Sequence, residues 1–175
     1  MKKIFYIHTF LLLLISVFNP LILEGQEGSF KIISGVGIPE FMHAGLQYET
    51  RVNQFGLSAG YMPGVSESLI SVNAHVFFHF KRREDGTLNR WYLKTGLTYT
   101  REESKTRILR NTLLGISAGK MIPLGQSSGF NINLGIAFVT SESEKRKTPK
   151  PPSSFNLDIE VPFVPALAIV FYMKI

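Results

Sequence analysis

Apolar and small polar side chains alternate along most of the chain. Between residues 28 and 175, a stretch of about nine to thirteen alternating residues followed by a polar, Gly or Pro break occurs eight times. Side chains of a strand point to opposite faces with a period of two, so each stretch predicts a strand with one apolar and one polar face. The clearest stretch has apolar residues at Phe130, Ile132, Leu134, Ile136 and Phe138. The chain is therefore predicted to be all-β, with eight antiparallel strands.

The breaks between these stretches define the predicted strands and their connections. Strands are predicted at residues 29–38, 41–49, 55–61, 69–80, 91–99, 114–119, 130–138 and 164–175. The connections alternate between two ends of the sheet, with residues 39–40, 63–68, 101–109 and 141–162 at one end and residues 50–54, 81–89 and 123–129 at the other. The first set contains the longest break.

Two classes of eight-stranded barrel place the apolar face differently. A soluble carrier barrel turns its apolar face inward, whereas a membrane barrel turns it toward lipid. The polar face here is rich in glycine, which weakens a water-facing strand but leaves room for long side chains in a narrow lumen. The apolar face carries aromatic residues near the strand ends, at Phe30, Tyr48, Phe55, Tyr61, Phe80, Trp91, Tyr99, Phe130, Phe138 and Phe171. This pattern predicts an up-and-down transmembrane β-barrel; the alternative is a soluble exported barrel that carries an apolar ligand.

The amino-terminal segment has the pattern of a secretory signal peptide. A short basic start is followed by an apolar run, and Gly25 offers a small residue for cleavage. Pro20 ends the apolar run before the roughly 20 residues that a membrane-spanning helix needs. We therefore predict a signal peptide at residues 1–25 and a barrel domain at residues 26–175, with a retained transmembrane helix as the alternative. The chain contains no cysteine, which leaves no thiol for lipid attachment or metal binding.

Taken together, the leader, the strand number and the alternation resemble a known family. The chain is similar to the small eight-stranded outer-membrane barrels of the OmpA/OmpX-like type, including the group called outer membrane protein beta-barrel domain. The resemblance covers residues 28–175 and includes a last strand with apolar residues at Leu167, Ile169, Phe171 and Met173. It implies location in the outer membrane of a Gram-negative cell envelope and insertion by the barrel-assembly machinery. It also implies that both termini face the periplasm, which makes residues 39–40, 63–68, 101–109 and 141–162 the outer connections, in keeping with the longer outer loops of membrane barrels. It identifies an architecture and leaves the biochemical task open.

Charged residues on the predicted strands fall on the lumen parity. These residues are Lys31, Glu49, Lys94, Lys120 and Lys174. Unpaired charges are costly away from water, so we expect several of the lysines to reach the periplasmic rim. Because eight strands enclose a space that side chains fill, the barrel is predicted to be non-conducting.

The last predicted loop concentrates positive charge, at Lys145, Arg146, Lys147 and Lys150. These cations suit the phosphates of outer-membrane lipids and lipopolysaccharide, or an acidic envelope protein. A solvated loop without a binding role is the alternative. The cations form no contiguous helix or aromatic-lined groove, so no nucleic-acid partner is predicted.

Candidate catalytic residues are few. The lumen parity carries three histidines and four small polar residues, His43, His75, His79, Ser58, Ser71, Asn73 and Ser117. Nucleophilic catalysis needs a hydroxyl within hydrogen-bond reach of an imidazole, and the predicted pairing places Gly56 beside His75. The sequence has no recognisable catalytic, metal-binding or phosphate-binding motif. We therefore predict a structural or interaction role with no enzyme activity, cofactor or metal site, and retain lipid modification as the alternative.

Overall fold

The computed structural model describes residues 28–50, 53–64, 67–80, 88–147 and 162–175, and the predicted signal peptide lies outside these ranges. Eight strands are present: β1 (Ser29–Ile38), β2 (Phe41–Glu49), β3 (Asn53–Met62), β4 (Glu67–His79), β5 (Trp91–Ser104), β6 (Arg107–Pro123), β7 (Ser128–Arg146) and β8 (Phe163–Lys174). Each strand is antiparallel to the next, and β8 pairs with β1 to close the barrel. The prediction of an all-β, eight-stranded, up-and-down barrel is confirmed. The described residues include no helix long and apolar enough to cross a membrane.

The two faces of the strands differ in the way that the alternation predicts. Among the described residues, the buried set comprises nine hydrophobic and sixteen polar or charged side chains, whereas twenty-nine large hydrophobic side chains are exposed. Leu134 and Asn133, neighbours in β7, are 68% and 3% exposed. Apolar side chains therefore cover the outside of the barrel, and its lumen is lined mainly by polar side chains, with a smaller apolar cluster that includes Ile33, Val170 and Tyr172.

One residue predicted to face the lumen lies outside. Lys120 is exposed, and its Nζ lies 5.1 Å from the centroid of the Trp91 ring on the outer surface. The prediction was wrong because Lys120 has the parity of Leu114 and Ile116, the outward-facing residues of β6. The long aliphatic stem of a lysine can cover apolar surface while its ammonium group reaches toward water or an aromatic face.

Glycines on the lumen side make room for larger side chains. A Cβ atom at Gly119 would collide with the Tyr92 ring, and one at Gly56 would collide with the His75 ring. Both rings are buried. This arrangement confirms the interpretation that glycine on the polar face leaves space in a narrow lumen.

Several strands extend into the predicted breaks: β3 begins at Asn53 and β4 at Glu67, and the longest extensions are those of β5, β6 and β7. The predicted loop at residues 101–109 is instead the end of β5, a two-residue turn at 105–106 and the start of β6, while β7 continues to Arg146. The charged residues that indicated a loop lie in register, with Glu102 opposite Leu109 and Glu103 opposite Ile108. Loop predictions for residues 101–104, 107–109 and 141–146 were therefore wrong, because cross-strand pairing continues past the end of the apolar pattern.

The extended ends of β5, β6 and β7, residues 101–104, 107–112 and 140–146, form what we call the projecting sheet, and residues 67–70 of β4 pair with its β5 strand. β6 and β7 have 17 and 19 residues, whereas β2 has 9. A tilted strand needs only about 9 to 11 residues to cross a bilayer. A register shift between Thr112 and Leu113 separates the projecting sheet from the barrel wall in β6. The β7–β8 pairing starts at Phe138, so the described strands cover only one edge of residues 140–146.

Candidate functional site

Glu40 is the centre of a polar cluster in the lumen. It lies between β1 and β2 and is 6% exposed. Its Oε2 accepts a hydrogen bond of 2.7 Å from Ser58 Oγ, and its Oε1 lies 3.5 Å from Lys94 Nζ. Its backbone oxygen accepts a hydrogen bond of 3.1 Å from Ser71 Oγ. One turn residue thereby connects β3, β4 and β5 through the interior of the barrel.

Sequence reasoning missed this role of Glu40. Residues 39–40 are predicted as an outer link, and Glu49 is the one acid among the five charged residues predicted to face the lumen. The short link itself is a signal for this role. The side chains of a two-residue link between lumen-lining strands lie close to the open end of the barrel. Contacts with β3, β4 and β5 depend on the closed tertiary structure, which the local pattern does not specify.

A second cluster lies where β1, β2 and β8 meet. Lys31 has a fully buried side chain and forms an ion pair with Glu49, whose other oxygen lies 2.9 Å from Lys174 Nζ. Gln54 Nε2 donates a hydrogen bond of 3.0 Å to the same carboxylate. Lys31 Nζ also lies 4.6 Å from the centroid of the Tyr172 ring. Two lysines thus depend on one carboxylate, and only Lys174 of the pair reaches a partly exposed position.

Histidine and hydroxyl side chains both lie in the lumen, as predicted. The buried His75, however, contacts an asparagine rather than a hydroxyl group. His75 Nδ1 lies 2.5 Å from Asn73 Oδ1, and Asn73 Nδ2 donates a hydrogen bond of 2.6 Å to Thr98 Oγ1. Gly56 lies opposite His75, as the predicted register required. The described residues include no group of three or more His, Cys, Asp or Glu side chains arranged to hold a metal ion. The contact of His75 with Asn73 lies within β4, and that of Asn73 with Thr98 joins directly paired residues of β4 and β5 on the lumen side.

Little space remains between these side chains. A cavity of about 40 Å³ is lined by Glu40, Asn73, Lys94 and Thr98, among others. That volume accommodates roughly one to three water molecules, since one water needs about 10 to 15 Å³ by this measure. Elsewhere the lumen is crossed by Tyr92, whose hydroxyl donates a hydrogen bond of 2.7 Å to Asn133 Oδ1. The polar interior is thus packed with side chains.

The projecting sheet separates the predicted cationic cluster into two groups. Lys145 and Arg146 lie in β7, whereas they were predicted in a loop, and Lys150 lies outside the described residues. Because neighbouring strand residues point to opposite faces, Lys145 shares the outward face with Glu103, whereas Arg146 points inward. Lys147, just after β7, contacts Glu103 at 2.7 Å and so joins the outward group. These cations are adjacent in sequence, but the strand directs them to opposite faces of the sheet.

Glu103 has a lowered pKa because Lys147 donates a hydrogen bond to its carboxylate and attracts its charge, with a smaller contribution from Arg101. A lowered folded-state pKa means that this ion pair stabilises the projecting sheet above the unfolded-state pKa of a glutamate. The stabilisation is lost as pH falls through the lower folded-state value. We expect NMR titration of Glu103 to give a pKa below that of an ordinary glutamate. Lys147→Gln should raise it; an unchanged value in this variant would contradict the assigned cause.

The geometry defines a closed eight-stranded barrel with an apolar outer wall, a polar filled lumen and a charged projecting sheet. Comparison with protein-family models, curated proteins and solved structures gives no match for the chain.

Proposed function

We propose that this protein is a non-conducting barrel of the outer membrane, similar in kind to the OmpA/OmpX-like barrels, with a structural or interaction role. The observation that carries this proposal is the apolar outer wall. Burying one fully exposed Leu or Phe side chain is worth about 1.5 to 3 kcal/mol. For the twenty-nine partly exposed large hydrophobic side chains, transfer from water to lipid therefore favours the membrane by an energy on the order of tens of kcal/mol.

Aromatic side chains near both ends of the wall support the same proposal. One group, at the end that holds residues 28 and 175, comprises Phe30, Tyr48, Phe55, Phe80, Trp91, Phe130 and Phe171. Another group at the opposite end comprises Tyr61, Tyr99, Phe138 and Phe163. Membrane barrels carry girdles of aromatic residues at both interfaces, where a ring meets lipid on one side and head groups on the other.

The lumen supports a non-conducting role and disfavours carriage of an apolar ligand. Its buried side chains are mostly polar, and Tyr92, Lys94 and Glu40 occupy its interior. The cavity lined by Glu40, Asn73 and Lys94, of about 40 Å³, is far smaller than the 300 Å³ or more that drug-sized ligands occupy. A soluble carrier barrel needs the reverse arrangement, with an apolar interior and a polar wall. The outer wall and the projecting sheet are therefore the surfaces that we propose carry the function of this barrel.

Refolding into lipid vesicles tests the proposal. The denatured chain of residues 26–175, diluted into phosphatidylcholine vesicles, should acquire β-structure and migrate faster on a gel when unheated than when boiled. The same chain diluted into buffer without lipid or detergent should aggregate, because its wall would face water. A soluble, monomeric and β-structured protein in buffer, with no association with vesicles, would contradict the proposal.

A further inference from the structure

Arg101, Arg110 and Lys145 lie on the outward face of the projecting sheet, and Lys147 lies just beyond it on the same side; we call these four cations the basic face. We propose that the basic face binds the phosphate-bearing head groups of anionic lipids in the membrane leaflet at that end of the barrel. This inference rests on the proposed membrane location of the barrel.

Cross-strand register concentrates the positive charge. Arg101 lies directly opposite Arg110, and like charges in directly opposed positions repel. Lys145 is a diagonal neighbour of Arg110 on the same face, because Arg110 pairs with Ser143. The strand pairing therefore gathers cations from β5, β6 and β7 on one surface.

Acidic residues compensate this charge only in part. Glu103 contacts Arg101 at 2.8 Å and Lys147 at 2.7 Å. Arg110 and Lys145 have no acidic partner within the part of the chain that the structure describes. Four cations thus share one carboxylate, which leaves the charges of Arg110 and Lys145 without an acidic partner among the described residues.

The opposite face of the same sheet is compensated. Arg107 lies directly opposite Arg146, which repeats the like-charge arrangement of the basic face. Here, however, Glu102 lies 3.7 Å from Arg107, and Glu144 lies 2.7 Å from Arg146. The inner face therefore balances its arginine pair with residues of this chain, whereas the basic face leaves positive charge for an external anion.

The basic face begins where the apolar wall ends. Arg101 follows the outward-facing Tyr99 by two residues on β5, a rise of about 7 Å along the strand. The polar head-group layer adds about 5 to 7 Å on each side of the hydrocarbon core. Arginine and lysine bind phosphate oxygens by charge-assisted hydrogen bonds, and arginine does so with two parallel donors. Continuity with the apolar wall therefore favours a lipid phosphate as the occupant.

Lipid titration in nanodiscs tests this inference. The folded barrel is placed in phosphatidylcholine nanodiscs, and phosphatidylglycerol replaces a rising share of the lipid while NMR follows the backbone amides of Arg110 and Lys145. The chemical shifts of these two amides should reach half of their total change at a low share of phosphatidylglycerol in the lipid. A cation near a membrane surface strengthens binding of anionic lipid about fivefold, so the variant Arg110→Gln with Lys145→Gln should shift the midpoint by at least tenfold.

The inner face provides a matched control. Arg107→Gln with Arg146→Gln removes the same charge from the same strands, and its midpoint should stay within about twofold of the wild type. If the two double variants respond equally, net charge rather than the basic face attracts the lipid, and the inference is wrong. The single variant Lys145→Gln, expected to shift the midpoint about fivefold, replaces the double variant if the latter does not fold.

Two further outcomes separate this inference from the proposed function. A wild-type barrel that inserts and migrates in a heat-dependent manner, yet gives no response to phosphatidylglycerol, overturns the inference alone. An equal response to inorganic phosphate at the same concentration also overturns it, because the site would then bind free anions. Failure of the wild-type chain to insert into any vesicle overturns the membrane proposal itself. Binding of an acidic protein by the basic face in nanodiscs, without any lipid preference, would assign this surface to a protein partner.

Discussion

Replacing Leu134 by arginine should lower the free energy of unfolding in lipid by about 2 to 4 kcal/mol. Leu134 is at the centre of the outward-facing apolar run of β7, between Ile132 and Ile136, and its side chain is 68% exposed. In a membrane, that exposed surface meets hydrocarbon, where the guanidinium group loses its water. The same substitution on a water-facing strand would change stability by no more than about 0.5 kcal/mol.

The matched control for this variant is Ser143→Arg. Ser143 lies on the same strand and the same outward face, but on the projecting sheet opposite Arg110. Beyond the hydrocarbon core, arginine should cost only about 0 to 1 kcal/mol. Denaturant unfolding of the vesicle-bound barrel, followed by the fluorescence of Trp91, the single tryptophan of the chain, measures both variants. Equal and negligible effects of the two substitutions would indicate a wall that faces water.

The orientation of the strands could be predicted from sequence for a physical reason. Period-two alternation determines which residues share a face, and a wall with one apolar side gives each strand a single acceptable register. The bounds of β1 and β2 agree with the prediction for the same reason. Alternation of apolar residues nevertheless ends with the apolar wall, whereas backbone pairing continues. The pattern therefore could not predict the ends of β5, β6 and β7.

The candidate sites were less predictable because they depend on residues far apart in sequence. Parity alone indicates that Lys145 and Arg146 point to opposite faces once they belong to a strand. Their membership in β7 follows only from the β6–β7 pairing. Likewise, Glu40 becomes a lumen residue through Ser58 and Lys94, which are contributed by other strands. Long-range pairing, rather than local preference, determines both sites.

Glu49→Gln should be the most damaging substitution in the lumen, with an expected cost of about 3 kcal/mol. Glu49 is the carboxylate shared by Lys31 and Lys174, and the Lys31 side chain is 0% exposed. Glutamine keeps the shape of the side chain but removes its charge. Lys31 then becomes a buried cation without a carboxylate. Removing one partner of a buried ion pair costs more stability than replacing both partners by apolar residues. The free energy of unfolding in vesicles is the quantity to measure.

A double variant separates loss of the pair from loss of packing. Lys31→Met combined with Glu49→Gln removes the buried cation together with its partner, so the double variant should be more stable than Glu49→Gln alone. Glu102→Gln, which affects a partly exposed ion pair with Arg107 at 3.7 Å, should cost only about 0 to 1 kcal/mol. If Lys31→Met added its own full cost to that of Glu49→Gln, the two side chains would be energetically independent. The lumen would then be stabilised by packing rather than by this ion pair.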